Sequence, residues 1–159
     1  MVDVCGTLHS PHDILICLPD KYEDFLASKQ FLLHLQQTFP SAQLHLLLRE
    51  AYVNLLDQRA SFHLLPLRPD QTNFLGLPVK DLRLGVLAGR WDLALDLNSD
   101  FHLPSTYLCA FSGASLTACL VHRDREPFFN FQIQPKPASI LDNKYELILR
   151  YLTSSIPAI

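Results

Sequence analysis

The 159-residue chain predicts a three-layer α/β domain with a doubly wound, mainly parallel sheet of about six strands. Short apolar runs recur along it, and most are followed by a segment whose large hydrophobics recur with helical spacing. The connections between them are short and are marked by Pro or Gly. The run Leu93-Ala94-Leu95-Asp96-Leu97 follows a helix-like segment and opens into polar Asn98-Ser99-Asp100. It reads as a central strand buried on both faces, because parallel strands covered by helices show continuous apolar runs rather than alternation. Strands alternating with helices through short connections wind right-handed over both faces of one sheet.

In chain order, residues 1–12 read as a leader and residues 13–159 as the single domain. Residues 13–19 form a first buried strand closed by Pro19. A helix spans 21–39, with Phe25, Leu26, Leu32, Leu33, Leu35 and Phe39 near its apolar face. Asp20 or Asp24 is expected to cap it, since a carboxylate accepts free first-turn amides. Strand 43–48, short helix 51–56 and strand 61–67 follow, the last ended by Pro66 and Pro69. After the loop 68–78 comes helix 79–89 with Gly89 at its C-cap. Beyond the central strand, helix 104–112 starts on Pro104 and stops before Gly113. Residues 116–121 make a fifth strand and 122–127 a charged turn. Residues 128–133 alternate Phe129, Phe131 and Ile133 against Asn130 and Gln132, as an edge strand does. Helix 141–153 closes the chain with Tyr145, Ile148, Leu149 and Leu152 on one side.

Composition narrows the function classes. Hydrophobic residues are 48% and charged residues 18%, the balance of a compact globular chain. A net charge of −3 without a basic run argues against nucleic acid as a partner, because phosphate neutralisation needs a cationic surface. No apolar run reaches the roughly 18 residues of a membrane span, and the start lacks a signal peptide's pattern, so a cytoplasmic protein is expected. Cys5, Cys17, Cys109 and Cys119 match no metal or redox spacing and read as buried thiols acting as small hydrophobes. Seven histidines include no H-x-x-x-H pair, so no metal is expected. His45 and His63 fall in separate strands that could be neighbours. Neither G-x-G-x-x-G nor G-x-x-x-x-G-K-[ST] occurs, and G-x-S-x-G is absent, so no nucleotide cofactor and no serine hydrolase site is expected.

Ligands of open α/β sheets bind beyond the carboxyl ends of the strands. One wall of a site is therefore expected from Asp96, Asn98, Ser99 and Asp100, with Asp20, Glu23 and Asp24 opposite after the first strand. The bland alternatives are turn-forming Asx and Ser residues and a helix-capping carboxylate. Pro127-Phe128-Phe129-Asn130-Phe131 reads either as an edge strand or as an interface pairing edge to edge with a second copy.

Two stretches carry a resemblance. "TFPSAQLHLLLRE" (38–50) and "RWDLALDLNSDF" (90–101), with Phe111-Ser112-Gly113-Ala114 beyond, resemble in order and spacing the N-terminal domain of the ADP-heptose:lipopolysaccharide heptosyltransferases. The resemblance runs from about Asp13 to about His122. It implies one Rossmann-like half of a GT-B fold, in which the N-terminal domain faces the acceptor and the C-terminal domain holds most of the sugar nucleotide. This sequence stops at Ile159, about where that second domain would begin. The family's Gly-Asp pair, whose Asp acts as general base, falls on Glu23 and Asp24. The family's Pro a few residues on falls near Gln30, and residues 117–120 lack its Arg and Gly. The resemblance therefore implies a stand-alone, non-catalytic domain that binds a partner protein or a small polar ligand. A homodimer or a different protein partner would cover its open surface. The alternative is the acceptor-binding subunit of a split glycosyltransferase, with Asp24 as general base.

Overall fold

The computed structural model describes residues 10–137 and 140–154. The strands are β1 (Asp13–Cys17), β2 (Gln43–Arg49), β3 (His63–Leu67), β4 (Leu93–Asp96), β5 (Leu116–Leu120) and β6 (Phe131–Ile133). The helices are α1 (Tyr22–Thr38), α2 (Lys80–Leu87), α3 (Leu103–Phe111) and α4 (Leu141–Ser154). The six strands pair in the order β3-β2-β1-β4-β5-β6, and every pairing is parallel. The predicted doubly wound sheet is thus present and wholly parallel. The chain reverses direction between β1 and β4, and at such a switch point the two departing loops diverge and leave a crevice.

Each strand of the sheet centre is buried on both sides. Ile14, Ile16, Leu46, Leu93 and Leu95 face a core closed by α1 and α4, where Phe25, Leu32, Leu35, Tyr145 and Ile148 meet them. Leu15, Cys17, Leu47, Ala94 and Cys119 face the other core, with Val86, Trp91, Leu108 and Cys109. This double burial is why the runs showed no alternation. Cys17, Cys109 and Cys119 are free, buried thiols, as expected; Cys5 lies outside the described residues. Hydrogen bonding to Cys17 and burial raise the Cys109 thiol, and burial pushes Cys119 up to about 12, so both stay protonated and unreactive.

Several local expectations change. Neither Asp20 nor Asp24 caps α1: Lys21 holds the N-cap position without a side-chain bond. Leu26 and Leu33 are turned outward, and Phe31 takes the core position instead. Residues Glu50–Leu55 form a 3-10 helix rather than an α-helix. Pro66 lies inside β3, tolerated because β3 is an edge strand. α2 ends with Ala88 as its C-cap. Gly89 is required instead because a Cβ there would overlap the Trp91 indole, whose Nε1 donates to the Val86 carbonyl at 2.8 Å. Gly113, beyond α3, has the expected left-handed backbone, with φ +76°. Phe129 does not alternate with Phe131. It enters the second core, while Asn130 accepts from the Thr117 amide at 2.8 Å and its own amide donates to Thr117 Oγ1. β6 is therefore only three residues long. Residues 10–12, assigned to the leader, are anchored: the His12 amide donates to Asp92 Oδ2 at 2.6 Å and its carbonyl accepts from Gln43 at 2.7 Å. Among the described residues no helix is long and apolar enough to cross a membrane.

Replacing Gly89 by Ala forces the Trp91 ring to move and is expected to destabilise the domain by about 1–3 kcal/mol. Thermal unfolding checks this, at about 2–4 °C of midpoint per kcal/mol for a domain of this size.

Candidate functional site

The carboxyl ends of β1 and β4 lie side by side, and their register pairs Cys17 with Asp96. Leu97 donates its amide to the Cys17 carbonyl at 3.0 Å, extending the pairing one step beyond the strands. The loops then separate. Asn98 closes the gap beneath them: its Oδ1 accepts from the Asp20 amide at 2.9 Å, and its Nδ2 donates to Asp96 Oδ1 at 2.7 Å and to Ser105 Oγ at 3.2 Å. One donor and two acceptors are satisfied by a single side chain, which fixes both loops. Asp20 is held again through its carbonyl, which accepts from Tyr52 Oη at 2.8 Å, and through its carboxylate, which pairs with Arg49 Nε at 3.0 Å.

A cleft of about 760 Å³ opens above this floor, toward β2 and β3. Asp20, Arg49, Glu50, Arg68 and His102 supply its polar walls; Leu67, Leu75, Leu103 and Pro104 supply apolar ones. Its volume falls within the roughly 300–1,000 Å³ of small-molecule sites. The loop that carries Leu75 is shaped by Asn73, whose Oδ1 accepts from the amides of Leu75 and Leu77 at 3.0 Å, and by Gly76 with φ +78°. A second recess of about 80 Å³ lies beside the cleft, lined by Lys21, Asp24, Asn98, Ser99, Asp100 and Phe101. Asp20 and His102 line both spaces and form the partition between them.

The residues predicted from sequence separate into three groups. Asp20 faces the cleft. Asp24, Asn98, Ser99 and Asp100 surround the recess, where Ser99 Oγ donates to Asp24 Oδ2 and Lys21 pairs with Asp100. The hydrogen bond from Lys21 holds the Asp100 carboxyl below its ordinary range. Glu23 and Asp96 reach neither space. Glu23 is exposed on the first turn of α1 and lines neither the cleft nor the recess. Asp96 is completely buried, because the last residue of β4 turns its side chain into the second core side rather than upward. There it meets Arg125, itself fully buried, with Nε 3.8 Å from Asp96 Oδ2 and neither atom hydrogen-bonded. Burial raises the Asp96 pKa even against the Arg125 charge. Arg125 also donates to the carbonyls of Asp100 and of Leu120, the latter at 3.3 Å.

Sequence reasoning missed His102 and Arg125. His102 had been weighed only as a metal ligand; its link to the site is tertiary, through Ser105 Oγ at 2.8 Å from Nδ1. Burial lowers its pKa, with Asp20 and Asp96 pulling the other way, so the ring is neutral at pH 7. Arg125 belongs to the segment 122–127 that reads as a charged turn, yet its side chain is fully buried. His45 and His63 do stack as neighbours, at 4.7 Å between centroids. They lie toward the amino ends of β2 and β3, at the opposite edge of the sheet from the cleft.

The buried pair supplies a test. Asp96→Ala or Arg125→Met alone leaves one uncompensated buried charge and is expected to cost about 3–5 kcal/mol. The double variant should be less destabilised than the sum of the two, because the charge left by each is removed by the other. Denaturant unfolding of the four proteins measures this, and strict additivity would mean that the pair is uncoupled.

No family model matches the chain, and no curated protein sequence matches it. Solved structures do. A glycosyl transferase family 9 protein from Veillonella parvula is 14% identical, with TM-score 0.68 over 91% of this chain and 42% of its own. E. coli heptosyltransferase WaaC, solved with ADP, is 14% identical, with TM-score 0.69 over 92% of this chain and 48% of its own. E. coli ADP-heptose LPS heptosyltransferase II is 18% identical, with TM-score 0.63 over 92% and 44%. The chain thus has the fold of one Rossmann-like half of these glycosyltransferases and spans under half of their length.

Proposed function

We propose that this glycosyltransferase-like domain binds a small polar ligand in the switch-point cleft and does not by itself transfer a sugar. The observation that supports this most is the separation of the two spaces. The roomy cleft belongs to Asp20, Arg49 and His102, whereas Asp24, the residue matched to the family base, stands in a recess of only about 80 Å³. A general base must present a free oxygen to the proton it takes. In Asp24, Oδ2 already accepts the Ser99 hydroxyl. The second reading, an acceptor-binding subunit completed by another chain with Asp24 as base, draws on the position of Asp24 at the rim of the same crevice. A protein partner, either a second copy or a different chain, belongs to both readings and is supported by Phe74, 95% exposed beside the cleft loop.

Protein-observed NMR titration with a panel of monosaccharides tests the proposal. The expected result is perturbation of Asp20, Arg49 and His102 amides. Asp20→Asn should weaken binding at least about tenfold, about 1.4 kcal/mol, with little effect from Asp24→Asn. Loss of binding in Asp24→Asn with Asp20→Asn unaffected would overturn this reading in favour of the second.

A further inference from the structure

His102 is the one imidazole on the wall shared by the cleft and the recess, and its hydrogen bonds define which proton it carries. Asn98 Oδ1 accepts from the Asp20 amide, so its Nδ2 is the group that donates to Ser105 Oγ. The Ser105 oxygen is then an acceptor toward Asn98, and among its hydrogen-bond partners His102 Nδ1 is the one that can accept its proton. A neutral ring that accepts at Nδ1 carries its proton on Nε2. That Nε2–H points toward Asp20 Oδ1, 3.8 Å away, beyond direct hydrogen-bonding distance. A donor and a carboxylate acceptor therefore lie together on the cleft wall, too far apart to bond directly and close enough for one hydroxyl oxygen on the cleft side, about 2.8 Å from each, to bridge them.

The charges around the cleft balance. Asp20 and Glu50 are opposed by Arg49 and Arg68. Arg49 is committed to Asp20 and lies over the Tyr52 ring at 5.9 Å, while Arg68 Nε meets Asp70 at 3.2 Å. Each guanidinium already faces a carboxylate through its Nε, so the positive charge at the cleft is compensated within the protein and gives little net pull on an anionic ligand. We infer that the cleft reads a neutral, hydroxyl-rich ligand, one hydroxyl of which accepts from His102 Nε2 and donates to the Asp20 carboxylate, making His102 a specificity-determining residue. This rests on the ligand-binding reading above and adds the class of ligand to it.

The arrangement works only with a neutral ring. Asp20 from the loop after β1, Arg49 from the end of β2, Glu50 across the cleft, Asp96 at the end of β4 and Arg125 beyond β5 surround His102. Protonation would turn Nδ1 into a donor, take from the Ser105 hydroxyl proton its acceptor, and strengthen the attraction of the imidazolium for the Asp20 carboxylate. Because burial holds the pKa below the ordinary 6.5, the neutral form dominates at pH 7 and binding is lost only as pH falls through that lowered pKa.

Titration calorimetry with D-mannose, myo-inositol and mannose 6-phosphate, at pH 7.5 and 5.5, tests this in the wild-type chain, His102→Phe and His102→Gln. Thermal unfolding of both variants establishes that they are folded. The neutral sugars should bind at least tenfold more tightly than the phosphate. His102→Phe should lose tenfold or more, and His102→Gln, which restores an N–H near the Nε2 position, should recover most of it. Wild-type affinity should be lower at pH 5.5 than at pH 7.5, while that of His102→Gln stays level. Tighter binding of the phosphate, or wild-type affinity in folded His102→Phe, overturns the inference and leaves the ligand-binding reading standing. Failure of all three probes to bind the wild-type chain overturns both.

Discussion

The buried pair of Asp96 and Arg125 is the constraint around which the carboxyl edge of the sheet is built. Neither side chain reaches solvent, and their nearest charged atoms are 3.8 Å apart. In a medium of low dielectric the two charges attract strongly, but their loss of hydration is also large, so such a pair contributes little net stability. What it contributes is position. Asp96 receives both the backbone amide and the side-chain amide of Asn98, and Arg125 receives the carbonyls of Asp100 and Leu120 as acceptors. The loops after β1, β4 and β5 are thereby tied to one buried centre, at the point where the sheet reverses its winding.

Above that centre the site is polar but electrically quiet. Lys21 answers Asp100, Arg49 answers Asp20 and Arg68 answers Asp70. His102 is kept neutral by its burial and keeps an acceptor position turned toward Ser105. A cleft built in this way offers hydrogen bonds of defined polarity instead of a strong field. Such a cleft suits discrimination among hydroxylated ligands, because an unmatched buried donor or carboxylate is costly. Asp24, in contrast, is drawn into the β4–α3 loop by Ser99 and helps to close the smaller recess.

Much of the fold was legible in the residues. Continuous apolar runs such as Ile14-Leu15-Ile16 and Leu93-Ala94-Leu95, short and bounded by turn residues, read as strands covered on both faces, and Gly113 marked the end of α3. Legibility failed where a side chain answers to a distant partner. Phe129 looked like one tooth of an alternating strand, yet the Asn130–Thr117 clamp delays β6 and sends Phe129 into the second core. Gly89 looked like a helix terminator, and its reason is the Trp91 ring. Leu26 and Phe31 exchanged their expected roles because α4 and the sheet together, rather than the spacing along α1, decide which stripe is covered.

The sequence by itself determined the strand and helix alternation, the parallel sheet and the edge at which a site would open, because periodicity and turn chemistry are local properties of the chain. It also placed Asp20, Asn98 and Ser99 at that edge. Only the tertiary structure decided that Asp96 is buried on Arg125, that Glu23 lines neither space, and that His102 stands between the cleft and the recess. These outcomes depend on contacts between segments separated by many residues, and on the desolvation that packing imposes, neither of which is written in the spacing of residues along one element.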